Sequence, residues 1–219
     1  GSRRDLKTAL ASHWAGKTDA TALLATAAGL RAEAWQRQRA LGADIVPSND
    51  FSLYDHVLDT TAMVGAVPAI YGASEDRVSL ETYFAMARGA QGNVEHAACG
   101  HAHLHDGEGA PAAEMTKWFD TNYHYLVPEF TADQAFRLAS TQDFETYREA
   151  RALGIDTRPV LHGPVSYLLL GKARGSDFDP LTLLGRLLPV YAEVLRGLAE
   201  AGAGWVQIDE PCLVLDLTE

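Results

Sequence analysis

Between Thr21 and Leu41 the apolar positions Leu23, Ala27, Leu30, Ala34 and Leu41 recur close to a helical period, with Arg31, Glu33, Arg37 and Arg39 between them. That spacing predicts an amphipathic helix. Gly42 supplies a C-cap, and the run Asp44-Ile45-Val46-Pro47 that follows predicts a short strand stopped by its proline. The alternation then repeats. Helical patterns surround residues 54–64 and 80–88, a strand-like run covers 113–119, and a helical pattern over 143–153 stops at Gly154 before a strand at 158–162. A last helix-rich stretch, 181–201, carries Leu184, Leu188, Tyr191, Leu195 and Leu198 on one side and leads through Gly202 and Gly204 to a strand at 205–209. Pro189 inside that stretch either kinks one helix or separates two.

Strands separated by helices predict right-handed crossover units around a parallel sheet. No glycine-rich dinucleotide turn or phosphate loop follows any of the strands, which favours a barrel over an open doubly wound sheet. In a (β/α)8 barrel the functional groups lie just past the strand C-termini. Here the strands run into Ser48-Asn49-Asp50, Asp120-Thr121-Asn122-Tyr123-His124, His162-Gly163-Pro164 and Asp209-Glu210-Pro211. Roughly four strands are visible where a barrel needs eight. The expected fold is therefore α/β, an incomplete TIM (β/α)8 barrel over residues 1–219, with 91–111 as an inserted loop.

Composition narrows the class. With 219 residues, 47% hydrophobic and 21% charged, the chain has the makings of a globular core, which excludes disordered and fibrous classes. No run reaches the roughly 18 apolar residues of a membrane span and no signal-peptide pattern opens the sequence, so a soluble cytoplasmic protein is expected. Cys99 and Cys212 are too few and too far apart for a disulfide framework. A net charge of −11 argues against general attraction to nucleic acid, so a polyanion has to be met by a local basic patch. Gly1-Ser2 reads as the remnant of a removed tag.

Several groups could carry chemistry. Arg3, Arg4 and Lys7 cluster where a helix is expected to start near Asp5, and cations at a helix amino end make sense if an anion is held there; a solvated charged turn is the alternative. Lys117, near the end of a predicted strand among large apolar residues, needs a partner. That partner is either Glu114 or Asp120 in an internal ion pair, or a carboxylate or phosphate arriving at the rim. Asp209 and Glu210, with Asp50 or Asp120, suggest an acid/base pair for glycoside hydrolysis, although adjacent strand residues point to opposite faces. His96, Cys99, His101, His103 and His105 fall in the glycine- and alanine-rich loop, with a spacing that matches no closed zinc site. His124 and His162 stand at strand ends, where either a functional or a hydrogen-bonded structural role is open.

The run Glu114–Phe130, EMTKWFDTNYHYLVPEF, closely resembles the corresponding segment of cobalamin-independent methionine synthases. Four further segments agree in order: Arg4-Asp5-Leu6-Lys7, Asp50 through Asp59, Tyr83 through Gly89, and Trp205-Val206-Gln207-Ile208-Asp209-Glu210-Pro211. The His/Cys loop is the chief departure. The resemblance implies a piece of the amino-terminal of two (β/α)8 barrels, with the first strand and the later strands missing. It further implies transfer of a methyl group from 5-methyltetrahydropteroyltri-L-glutamate to L-homocysteine, without cobalamin. The catalytic zinc would lie in the absent carboxy-terminal barrel. The family's tail-contacting positions fall on Arg4, Asp5, Leu6, Lys7 and Lys117, with Asp120, Asn122 and His124 as secondary candidates.

The expectation is thus a folate-polyglutamate-binding part of a methyltransferase, inactive by itself. The rivals are a purely structural fragment that assembles with the missing part or with itself, and a barrel hydrolase using Asp209 or Glu210.

Overall fold

The computed structural model describes residues 4–72, 77–90 and 109–217. The chain divides into two compact units: the first takes residues through Leu53, Gln142–Leu161 and Leu195–Ile208, and the second takes Tyr54–Thr141, His162–Val194 and the residues from Asp209 onward.

In the first unit, helix α1 (Asp5–Trp14) precedes α2 (Ala20–Ala40). Asp19 caps α2 by accepting a bond of 2.8 Å from the Ala22 amide, and the chain leaves through Gly42 at φ +86°. The buried stripe of α2 is Leu23, Ala27, Arg31 and Trp35, at steps of four residues. Leu23 and Ala27 were expected there, but Ala34 and Leu41 are exposed. The stripe turns toward Trp35 because its indole fills the core with Val46, Ala150 and Ile155, while its Nε1 donates to the Pro47 carbonyl at 3.0 Å. Arg31 joins it because Glu149 takes its guanidinium in a fork, with bonds of 2.7 to 2.9 Å.

Strand β1 (Val46–Ser48) pairs in parallel with β5 (Thr157–His162), in register Val46↔Thr157 and Ser48↔Pro159, and the sheet order is β1-β5-β7, with β7 at Gln207–Asp209. Pro47 was expected to stop β1, yet it lies inside it. An edge strand tolerates the missing N–H because one of its sides has no ladder to fill. Helix α5 (Gln142–Ala152) precedes β5 and ends at Gly154 with φ +74°.

In the second unit, α3 (His56–Met63) and α4 (Leu80–Arg88) follow the expected patterns. The run at 113–119 departs from expectation. Instead of a parallel barrel strand, Met115–Lys117 forms β2, which pairs antiparallel with β3 (His124–Leu126). The reversal is built by the residues between: the Trp118 amide donates to the Tyr123 carbonyl at 2.8 Å, Thr121 Oγ1 donates to the Trp118 carbonyl at 2.7 Å, and Phe119 takes φ +48°. Strand β4 (Glu129–Phe130) pairs in parallel with β6 (Lys172–Ala173), and α6 (Pro164–Leu169) lies between them in sequence. Phe130, Tyr167, Leu168 and Leu187 are buried, and Gly171 is required where Phe130 packs on the backbone.

Helix α7 (Leu184–Glu200) accommodates Pro189 without dividing. The fold is mixed α/β with parallel strands; among the described residues its strands form separate small sheets and no closed barrel. No described helix is long and apolar enough to cross a membrane.

Candidate functional site

The helix-start residues lie in the first unit. Arg4 takes left-handed angles, φ 55° and ψ 33°, and precedes α1 as its N-cap, and its side chain makes no capping hydrogen bond among the described residues. Its carbonyl accepts from the Thr8 amide at 3.0 Å, which starts the helix. Arg4 and Lys7 are exposed, whereas Asp5 and Leu6 are half-buried. Two cations and the Asp5 carboxylate therefore share a helix amino end where the backbone dipole is positive.

Lys117, Asp120, Asn122 and His124 lie in the second unit, on the β2–β3 hairpin. The register sets Lys117 opposite His124, and Asp120 and Asn122 occupy the turn. All three residues of β2 are exposed, so Lys117 is not enclosed among apolar side chains as expected. Neither suggested ion pair forms: Glu114 pairs with Lys172, and among the described residues Lys117 has no carboxylate partner. His124 Nδ1 lies 3.0 Å from the Asn122 carbonyl, which orients the imidazole along the turn. The hairpin thus gathers four of the expected residues, while Arg4 to Lys7 belong to the other unit.

The sequence reading missed a cluster of rings beside that hairpin. His56, at the start of α3, stands edge-on to Trp118 with centroids 4.5 Å apart, stacks on Tyr123 at 5.9 Å and meets His162 at 5.4 Å. Burial pulls the His162 imidazole down to about 3, helped by the neighbouring His56 ring, and burial also lowers His56 against the opposing pull of Asp209. Burial, with Asp55 and Asp59 nearby, pushes the Tyr123 phenol up to about 12. At neutral pH the cluster is therefore uncharged and can stack or share hydrogen bonds, but it supplies no cation. His162 Nε2 is buried without a hydrogen-bond partner among the described residues. His162 carried a sequence signal at its strand end; His56 carried none, being inside a helical pattern.

Glu210 does not serve as a barrel-mouth acid. Its carboxylate accepts from the amides of Val165 at 3.0 Å and Ser166 at 2.6 Å, and so caps α6. Gly163 leaves the space for it, since a Cβ there would come 2.1 Å from Glu210 Cδ. Asp50 sits in the first unit with its carboxyl raised by burial, and Asp120 is exposed on the hairpin. Among the described residues no three His, Cys, Asp or Glu side chains converge as a metal site requires. His96, Cys99, His101, His103 and His105 lie outside the described residues.

The chain is mixed α/β, with exposed cationic groups at a helix start in the first unit and on a hairpin in the second. The chain belongs to the family of cobalamin-independent synthase N-terminal domains, whose model matches residues 1–219. A Nitrobacter winogradskyi protein named 5-methyltetrahydropteroyltriglutamate-homocysteine methyltransferase is 64% identical over 221 residues, covering 100% of this chain and 29% of that protein. Proteins of the same name from Caulobacter vibrioides and Chelativorans sp. are 62% and 64% identical, again over 100% of this chain and 28% of theirs. The chain thus spans less than a third of the length of these relatives.

Proposed function

We propose that this chain is the folate-polyglutamate-binding part of a cobalamin-independent methionine synthase, and that its α/β units belong to a (β/α)8 barrel of the longer cytoplasmic enzyme. The reaction moves the methyl group of 5-methyltetrahydropteroyltri-L-glutamate to L-homocysteine and yields L-methionine. The homocysteine thiolate would be favoured by zinc bound in a carboxy-terminal part of that enzyme. The residues here hold the tail and make no methyl transfer by themselves.

The observation that carries this reading is Lys117: an exposed lysine without an ion pair among the described residues, on a hairpin of a chain whose net charge is −11. Its relatives are named for a triglutamate substrate. Lys117 and Lys7 supply charge, Arg4, Asp5 and Leu6 shape the helix-start pocket, and Asp120, Asn122 and His124 line the approach to Lys117. Calorimetric titration with methyltetrahydrofolate carrying one and then three glutamates tests it. Tighter, salt-sensitive binding of the triglutamate is expected, with Lys117→Ala weakening it about fivefold, as loss of one exposed charge pair predicts. Equal binding of the two folates, or an unaffected variant, refutes it.

A structural role is the second reading, favoured by apolar residues left open to solvent: Trp205 is 81% exposed, Leu213 61% and Val214 86%. Apolar side chains exposed in each unit suit assembly with the rest of a longer protein or with a second copy. Light scattering of the purified chain tests self-assembly, for which a monomer at all concentrations is the negative result.

A further inference from the structure

The tail-binding reading makes no use of Arg158 and Asn49. Among the described residues the Arg158 guanidinium has no carboxylate or carbonyl partner, and its Nε is buried. The side chain is half-buried on β5, in a chain where 29 acidic residues outnumber 18 lysines and arginines. An arginine left without an anion in such a surplus is unexpected, because a partly desolvated cation is costly unless paired. Asp50, the nearest carboxyl in sequence beyond β1, is not its partner: burial and a backbone bond set its ionisation, with no contribution from a guanidinium.

The β1–β5 ladder sets Pro47 opposite Arg158, and Asn49 follows two residues past Pro47. Both amide atoms of Asn49, Nδ2 and Oδ1, are buried without a hydrogen-bond partner among the described residues. Its φ of +63° lies in the left-handed region, which asparagine adopts more readily than most residues other than glycine. A buried amide one residue past β1 and a guanidinium on the partner strand β5, neither of them bonded among the described residues, together describe a place whose hydrogen bonds are completed by something from outside.

The chemistry of that occupant follows from the donors. The planar guanidinium matches the two oxygens of a carboxylate, and the Asn49 amide adds a neutral donor. One cation balances one negative charge; a phosphate dianion needs more cationic charge than these groups offer. We propose that Arg158 and Asn49 form a binding site for a small carboxylate at the C-terminal end of β1. The guanidinium receives the ligand, and the Asn49 amide, which bonds to none of the described residues, turns to it.

The test is an NMR titration of the 219-residue chain at fixed ionic strength with acetate, glycine and inorganic phosphate in separate arms. Saturable shifts of the Arg158 Nε–H and Asn49 amide resonances are expected with acetate or glycine. Tighter binding of glycine identifies an ammonium on Asn49 Oδ1. Arg158→Met is expected to weaken binding about tenfold or more, as loss of a charge-assisted hydrogen bond predicts. Arg158→Lys, which keeps the charge and loses the fork, should fall between. Asn49→Gly removes the amide at a φ that glycine adopts freely, so its loss of affinity is not a folding defect. A linear response to both carboxylates, equal affinity in wild type and Arg158→Met, or saturable binding of phosphate alone overturns the proposal.

Discussion

Asp55 offers a sharp quantitative test of the architecture. It is 1% exposed, and its carboxylate joins two elements of the second unit. Oδ1 accepts from the amides of Val57 and Leu58, each at 2.9 Å, and so caps α3; Oδ2 accepts from the Leu126 amide at 3.2 Å and ties the helix to β3. Asp55→Ala leaves all three donors without this acceptor, and at about 1 kcal/mol for each the loss is about 3 kcal/mol at pH 7. Asp55→Asn costs less, about 1–2 kcal/mol, since its oxygen still caps α3 while its NH2 confronts the Leu126 N–H. Burial outweighs the three donors and pushes the carboxyl from 3.8 up to about 6. The folded state therefore holds the proton more tightly than the unfolded chain. This contribution is fully present below about pH 4 and is lost as pH rises through about 6. Two pH units correspond to at most about 3 kcal/mol, so the gap between wild type and Asp55→Ala widens on acidification. Urea unfolding at pH 4, 5, 6 and 7, followed by circular dichroism, measures it. A penalty below about 0.5 kcal/mol at pH 7, or a gap that does not change with pH, refutes the reasoning.

Other perturbations follow the same logic. His162 carries the opposite pH sign: its imidazole is held down to about 3, so stability falls as pH drops from about 6.5, and His162→Phe should flatten that limb of an acid-unfolding curve. Glu210→Ala strands the Val165 and Ser166 amides and should cost about 2 kcal/mol in urea unfolding, with Glu210→Gln recovering part. Gly171→Ala would place a Cβ 2.2 Å from Phe130 Cε2, and since Phe130 is fully buried the repacking should cost about 1–3 kcal/mol; an unchanged melting temperature contradicts that packing.

The helices were legible in the sequence because their signals are local. Leu80–Arg88 carries its own period and the Ser79 cap, and α2 and α5 end at Gly42 and Gly154, each at positive φ. Cap, period and stop all lie within one contiguous segment, and their free energies act before any distant contact forms. The resemblance of Glu114–Phe130 likewise lay in the residue order and named the family that the comparison found. Pairing was not legible. Nothing in residues 113–119 specifies an antiparallel partner over a parallel one; the Trp118–Tyr123 turn decides it, and with it the exposure of Lys117. Pro47 sits inside a strand that pairs on one side only among the described residues. Glu210 reads as a rim acid until α6 presents its amides, and His56 reads as a helix residue until Trp118, Tyr123 and His162 close on it. Each of these depends on which distant segments meet and in what register, and that is set by the free energy of burying them together rather than by any residue's neighbours in sequence.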